Sequence, residues 1–319
     1  MPHAAQRILL GIAAAMVGID IVWALAGHFD VVAGPYGFAA MLAGILLGAW
    51  YFYEYVRKEP AIAAMLFGMA FLAVFSGSCG LFNYFALTIS GPRIDTLLAH
   101  LDRAMGYDWP AVMAFVAQHP LLDRTLFILY QSVLPQIILL VALLAWAGRI
   151  ERIYGFCLSI AIGALMTVAF WTLFPSFGAF SVYTLPVAVS RKLTVVLDRG
   201  YAQSLVALLQ HGPGHIVPAS IKGLVGFPSF HAVQALVITW YARDLKKLFY
   251  YAAAINFGVL MATPIQGGHD FVDLVGGVVV CVAAVALSDA IIRRAAAPAQ
   301  RPLAFPSSEP QLTSPPAGW

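Results

Sequence analysis

Charged side chains are scarce in this chain. Aspartate, glutamate, lysine and arginine make up 10% of its 319 residues, whereas a soluble globular protein carries about a quarter. Hydrophobic residues make up 61%, and the mean hydropathy is +0.84. This balance excludes an ordinary soluble domain and predicts an integral membrane protein.

Cysteine is equally scarce, and no excess of charge accumulates in one place. Cys79, Cys157 and Cys281 lie far apart in apolar runs without a C-x-x-C spacing, which favours packing over disulfide or metal chemistry. The net charge of +3 is spread over short loops, so we expect no nucleic-acid partner. No internal repeat is evident.

Long apolar stretches dominate what is present. Eight of them are long enough, or nearly so, to cross a hydrocarbon layer of about 30 Å as helices. They lie at 8–27, 36–55, 61–89, 125–147, 154–177, 229–246, 248–267 and 271–292. The first resembles a signal peptide, but its length and its Asp20 favour an uncleaved helix. The sequence predicts an all-α, polytopic membrane bundle of about eight helices.

The basic residues between the spans predict the orientation. The short connections at Arg149–Arg152 and Arg243–Lys247 place both termini in the cytoplasm. The loops 90–124 and 178–228 then face the periplasm or a lumen. We predict two additional helices over 1–60, a six-helix core over 61–295 and a disordered cytoplasmic tail over 296–319.

Both outer loops contain helical periodicity. Ile94, Leu97, Leu98, Leu101 and Met105 recur at intervals of three and four, which predicts an amphipathic helix on the membrane surface. The stretch 191–209 has the same pattern. There, Lys192 and Arg199 would share a polar face, either as a phosphate clamp or as a solvated surface.

Polar residues collect in two stretches on the outward side, "GFPSFHAVQA" and "GGHDFVDLVGG". The chain between His231 and His269 is long enough for two crossings, so both histidines return to the same side. His269 and Asp273 are four residues apart and would share a helical face, whereas Asp270 points elsewhere and is predicted to be a solvent-side bystander. Within the membrane, Asp20 and Asn83 are predicted to form interhelical hydrogen bonds, with a functional role as the alternative.

An imidazole held by a carboxylate, opposite a second imidazole, suits phosphoryl transfer. A transporter that relays protons is one alternative, but the spans below these histidines become apolar. A metal site is another, because two histidines and a carboxylate are a known ligand set. We predict a metal-independent enzyme without a cofactor.

These stretches resemble the second and third signature motifs of the phosphatidic acid phosphatase type 2 superfamily, Pro-Ser-x-His and His-x3-Asp-x3-Gly. The matching residues are Pro228, Ser229, His231, His269, Asp273 and Gly277. The resemblance implies that His269 is the nucleophile, Asp273 its orienting partner and His231 the general acid. Ser229 would either contact the phosphate or cap the helix that follows it.

Three departures from the family pattern are similar to the inositol phosphorylceramide synthase and sphingomyelin synthase branch. Phe230 replaces a common glycine, and Thr263 stands where the phosphatase branch has an arginine. The first motif is only partly present, as Lys192 and Arg199, with Lys222 as a further phosphate-binding candidate. This likeness implies a phosphotransferase that takes a headgroup from a membrane phospholipid to a lipid hydroxyl. Transfer to water, by a phosphatase, is the alternative. A bacterial inner membrane is the expected location.

Overall fold

The computed structural model describes residues 2–212, 216 and 223–296. Within this part the chain is all-helical, and its single β feature is an isolated bridge between Val31 and Ile216. The predicted tail falls outside the described residues, apart from Ala296, which ends the last helix.

Thirteen α-helices follow one another along the described chain. They are α1 (Pro2–Ala26), α2 (Ala33–Tyr51), α3 (Pro60–Ala86), α4 (Asp95–Ala104), α5 (Trp109–Val116), α6 (Pro120–Gln131), α7 (Val133–Trp146), α8 (Ile150–Leu173), α9 (Val187–Ser190), α10 (Arg199–His211), α11 (Phe230–Ala242), α12 (Lys247–Gln266) and α13 (Phe271–Ala296). Proline begins several of them, as at Pro60 and Pro120, because its missing N–H costs nothing in a first turn.

Six helices are long and apolar enough to cross a membrane, and a bent pair raises the number to seven. The six belong to α1, α2, α3, α8, α12 and α13; the pair is α5 with α6, bent by 111°. The chain is therefore an integral membrane protein, but eight separate spans are not confirmed.

Two of the predicted spans take a different form. The stretch 125–147 is broken at Ser132, whose hydroxyl donates to the Leu129 carbonyl at 2.6 Å and accepts from Gln136 Nε2 at 2.9 Å. The stretch 229–246 forms α11 over only 13 residues, about 20 Å, followed by a short 3-10 turn at Arg243–Leu245. Local hydrogen bonds to a serine side chain explain the first break.

The main core lies between α3, α7, α8, α11 and α13, with α1 packed on one side. Large buried side chains such as Phe67, Phe75 and Phe156 fill it. A second apolar cluster lies under the loop helices, where Trp109 of α5 donates its indole N–H to the Pro264 carbonyl of α12 at 2.8 Å. This cluster fixes the loop helices against one end of the bundle.

The helix α4 exists as predicted, and the side that it buries carries two acidic residues. Asp95, Leu98, Ala99 and Asp102 face the protein, whereas Leu97, Leu101 and Met105 are exposed. The exposed apolar side chains suit a helix in contact with lipid. The buried carboxylates accept backbone hydrogen bonds, and this is why the acidic face turns inward.

Candidate functional site

The loop Gly267–Asp270 carries the first candidate residue. It joins α12 to α13, and its Gly268 has a φ of +62° that a side chain would rarely adopt. The Gly268 carbonyl accepts a hydrogen bond of 2.6 Å from the Ala179 backbone N–H. His269 thus lies just before the first helical residue, Phe271, and not on the helix itself.

His269 and Asp273 are paired as predicted. The imidazole Nδ1 lies 2.9 Å from Asp273 Oδ2, which also accepts the Asp270 backbone N–H at 3.1 Å. A carboxylate can only accept, so Nδ1 carries the proton and Nε2 keeps its lone pair. Burial lowers the pKa of His269 to about 4. A backbone hydrogen bond with Gly226 acts in the opposite direction, but its effect on the pKa is smaller. The imidazole is therefore neutral at pH 7, the form that a nucleophile requires.

Asp270 does not lie on the solvent side. Its side chain is fully buried, and neither carboxylate oxygen has a hydrogen-bond partner within the described chain. Burial, with the neighbouring Asp273, raises the pKa of Asp270 to about 9, so this carboxyl holds a proton at pH 7. The expectation of an exposed bystander was wrong because helix α13 begins after Asp270, inside the protein.

Ser229 connects the two histidine stretches. Its hydroxyl accepts the Ala232 N–H at 3.4 Å as the N-cap of α11, and it lies 3.5 Å from His269 Nε2. Its backbone N–H donates to the Asp273 carbonyl at 3.0 Å. The predicted capping role is confirmed, and the hydroxyl faces the nitrogen that would attack phosphorus.

His231 lies in the first turn of α11 and packs against a residue that the sequence did not point to. The ring of Tyr130, on α6, stacks on the imidazole with 4.2 Å between ring centroids and 14° between planes. The Tyr130 hydroxyl lies 3.4 Å from His231 Nδ1. This contact orients the ring. A tyrosine in an apolar helix gave no signal of it.

An apolar cavity of about 530 Å³ opens onto both histidines. It extends between α3, α7, α8 and α11, and Phe230 lies on its wall. His269, Ser229 and Asp273 are otherwise almost completely buried. Access to the candidate nucleophile therefore passes along a surface that suits hydrocarbon.

Three buried acids, two on α4 and one on α6, hold the site together. Asp102 accepts the N–H groups of Phe271 and Val272 at 2.6 and 2.8 Å, and so caps α13 from a distant part of the chain. Asp95, paired with Arg93, accepts the N–H groups of Phe177 and Gly178 at 2.5 and 3.0 Å. These bonds also hold Gly178, which lies against the Gly268 carbonyl, directly before His269.

Asp123, the third acid, binds the segment before α10. It accepts the Thr194 N–H at 2.8 Å and lies 3.4 Å from Gln266 Nε2. The Leu197 N–H donates to the Gln266 carbonyl at 3.0 Å. The spacing of Asp95 and Asp102, seven residues apart on α4, was the one signal in the sequence that could have indicated a shared buried face.

The predicted clamp helix is not continuous. Residues 191–198 are not helical, and α10 begins at Arg199 because Asp198 accepts the Tyr201 N–H at 2.8 Å as its N-cap. Lys192 is exposed and does not share a helix with Arg199. The Arg199 side chain and all of Lys222 lie outside the described structure. The prediction of one shared face was wrong, since hydrogen bonds to α12 and Asp123 hold this segment in a non-helical conformation.

No group of three or more histidine, cysteine or acidic side chains in the described chain is arranged to hold a metal ion. Within the site itself, Asp273 Oδ2 is directed to His269 Nδ1 and the backbone of Asp270, which leaves this pair arranged for hydrogen bonding. Thr263, at the position of the missing arginine, is buried and donates to the Val259 carbonyl at 2.8 Å.

Gly277 permits the close approach of α13 to α11. A Cβ there would lie 2.7 Å from Ala232 Cβ and 2.9 Å from the Ser229 carbonyl oxygen. We expect Gly277→Ala to cost about 1–3 kcal/mol of stability and to lower activity by displacing Ser229. Thermal unfolding in detergent measures this effect. Gly44→Ala is the matched control, since nothing lies within 4 Å of its Cβ; equal stability of the two variants would contradict the prediction.

Comparison with known proteins agrees with the geometry. The model of the PAP2 superfamily matches residues 96–287. The match includes both histidines, Asp273 and the capping residue Asp102. Neither the curated proteins nor the solved structures include a significant match. Because the matched range covers more than half of the chain and contains the paired histidine and aspartate, this protein belongs to the PAP2 superfamily.

Proposed function

We propose that the protein is a lipid phosphotransferase that moves a phospho-headgroup from a membrane phospholipid to a lipid hydroxyl through a phosphohistidine. Membership of the PAP2 superfamily suggests a lipid phosphatase or phosphotransferase. The observation that carries the proposal is the placement of His269. Its Nδ1 is held by Asp273, and its side chain lines an apolar cavity together with His231.

The reaction has two steps. In the first, His269 Nε2 attacks phosphorus, the bond from phosphorus to the lipid oxygen breaks, and His231 in its imidazolium form gives a proton to that oxygen. In the second, His231 takes the proton of the acceptor hydroxyl, the hydroxyl oxygen attacks phosphorus, and the bond to Nε2 breaks. Asp273 stabilises the positive charge that develops on the His269 ring.

Phosphate oxygens need partners at this site. The Ser229 hydroxyl, beside His269 Nε2, is the first of these, and the N-terminal turn of α11 adds its partial positive charge. We assign the cationic contacts to Lys192, Arg199 and Lys222. The position of the segment before Arg199 supports this assignment, because the Leu197 N–H donates to the carbonyl of Gln266, three residues before His269.

Transfer to a lipid is favoured over transfer to water by the surroundings of the nucleophile. His269 is 4% exposed, and the cavity beside it is walled by hydrocarbon and by Phe230. Thr263 in place of an arginine and the aromatic Phe230 also support the inositol phosphorylceramide and sphingomyelin synthase-like branch. The basic residues between the helices support an orientation with this end of the bundle in the periplasm or lumen and both termini in the cytoplasm.

The acceptor decides between transferase and phosphatase. Purified protein is incubated with a phospholipid alone, and then with added ceramide or diacylglycerol, and mass spectrometry resolves the products. We expect a new phospholipid only when an acceptor is present, in equal amount to the diacylglycerol released from the donor. The His269→Ala protein serves as the control. Release of free phosphate or phospho-headgroup without transfer would refute the transferase and leave the phosphatase.

Metal dependence separates phosphohistidine chemistry from metal-assisted hydrolysis. We expect activity to persist in EDTA and to be blocked by vanadate, which mimics pentavalent phosphorus. Loss of activity in EDTA with rescue by a divalent ion would contradict the proposal. The same assay with His231→Ala tests whether the second histidine belongs to the reaction.

A further inference from the structure

The cavity beside the histidines contains two polar side chains that the reaction does not use. Asn83, on α3, is 7% exposed, and Thr167, on α8, is 1% exposed; both line the cavity. Asn83 Oδ1 and Thr167 Oγ1 have no hydrogen-bond partner among the residues that the structure describes. The sequence predicts an interhelical hydrogen bond for Asn83, and its Oδ1 forms none with the described residues.

Thr167 differs from other threonines in the helices of this protein. Thr172, Thr239 and Thr263 each donate to the carbonyl four residues earlier, at 2.8 Å. Such a bond is the ordinary way to satisfy a hydroxyl in an apolar helix. Because Thr167 does not form it, its hydroxyl remains available to a molecule in the cavity.

Both residues lie near the end of the bundle that carries the histidines. Asn83 is three residues before the end of α3, and Thr167 six before the end of α8, about 4.5 and 9 Å along the helix axes. The Gly91 N–H donates to the Thr172 carbonyl at 2.9 Å and ties the two helix ends together. The polar pair is thus within reach of a lipid whose reacting oxygen is at His231.

We propose that Asn83 and Thr167 bind a hydroxyl or amide group in the membrane-embedded part of the lipid acceptor. This inference rests on the proposed phosphotransferase function. A plain hydrocarbon chain would leave both polar atoms unpaired in an apolar cavity, which is unfavourable. A hydroxyl or secondary amide can donate to Asn83 Oδ1 and also accept from Thr167, whereas an ester can only accept. The cavity of about 530 Å³ is of the size that small-molecule ligands occupy.

Binding is tested first, on protein that cannot turn over. The His269→Ala protein is titrated with a long-chain vicinal diol, an N-acyl amino alcohol and a primary alcohol of the same chain length, followed by native mass spectrometry. We expect the diol and the amide to bind at least about tenfold more tightly than the plain alcohol. In the same background, Asn83→Leu with Thr167→Val should remove this preference without weakening the binding of the plain alcohol.

Two controls make the result specific. Thr172→Val removes a hydroxyl from the same helix, and Asn256→Leu removes a buried asparagine of α12 that also lacks partners but does not line the cavity. Both should keep the wild-type preference. The inference would be overturned if the double variant still preferred the diol and the amide, or if it bound all three ligands equally more weakly.

Turnover by the active protein is the second test of the inference. With His269 intact, the ratio of kcat/KM for the diol to that for the plain alcohol should fall about tenfold in the double variant. If no acceptor yields a transfer product, the proposed transferase fails. The binding arm still decides the role of Asn83 and Thr167, because it needs no reaction.

Discussion

Replacing His269 by alanine is expected to lower kcat by about 10⁴-fold or more, because no other group can form the covalent intermediate. The measurement uses a phospholipid donor labelled in its phosphate, with the protein quenched in denaturant. Wild-type protein should retain an acid-labile, alkali-stable phosphoryl label that the variant lacks. His100→Ala is the matched control, since His100 is exposed on α4. A labelled His269→Ala protein would contradict the assignment of the nucleophile.

The same experiment separates the roles of the two histidines. A general acid matters most when the leaving oxygen is a poor leaving group. His231→Ala should therefore lose much of its rate with a lipid donor but far less with a p-nitrophenyl phosphodiester. His269→Ala should lose its rate with both donors. An equal loss on both donors in His231→Ala would mean that this histidine does not act as the acid.

Replacing Asp102 by alanine is expected to lower kcat by about 10²-fold with little change in KM. Asp102 receives the first two N–H groups of α13, and these bonds fix the start of the helix on which Asp273 is carried. Their loss leaves buried donors without partners and lets His269 and Asp273 move, and a displacement of about 1 Å can cost 10²-fold in rate. Steady-state kinetics with the lipid donor measure both constants.

Asp108→Ala is the control for a lost helix cap. Asp108 accepts the Ala111 N–H at 3.1 Å at the start of α5 and is exposed. Its loss should lower the free energy of unfolding slightly and leave kcat nearly unchanged. If Asp108→Ala and Asp102→Ala reduce kcat equally, Asp102 does not act by fixing the start of α13.

The catalytic candidates could be predicted because their signals are local. His269 and Asp273 are four residues apart, and the pair forms even though the helix begins only at Phe271. The return of His231 to the same end followed from the length of two helices. Close packing at Gly277 was also expected, and its surroundings leave no room for a side chain.

The supporting residues could not be predicted because their partners are distant in sequence. Asp102 binds backbone groups 169 and 170 residues away, and nothing in either stretch indicates the other. The hydrophobic pattern of α4 indicated the exposed side with Leu97 and Leu101, but it gave no sign that Asp95 and Asp102 on the other side would accept backbone hydrogen bonds. The pattern around Lys192 likewise gave no sign that Asp123 and Gln266 would hold that segment out of a helix.

The cavity has a wall that the family match does not contain. Leu46 of α2 and Met69, Phe75 and Asn83 of α3 all line it, yet they precede residue 96, where the match begins. The match therefore covers both histidines and part of the chamber, and α2 and α3 supply one side of the chamber from outside the match. A chimera that exchanges residues 1–90 with those of a relative would keep His231 and His269 and change that side of the chamber.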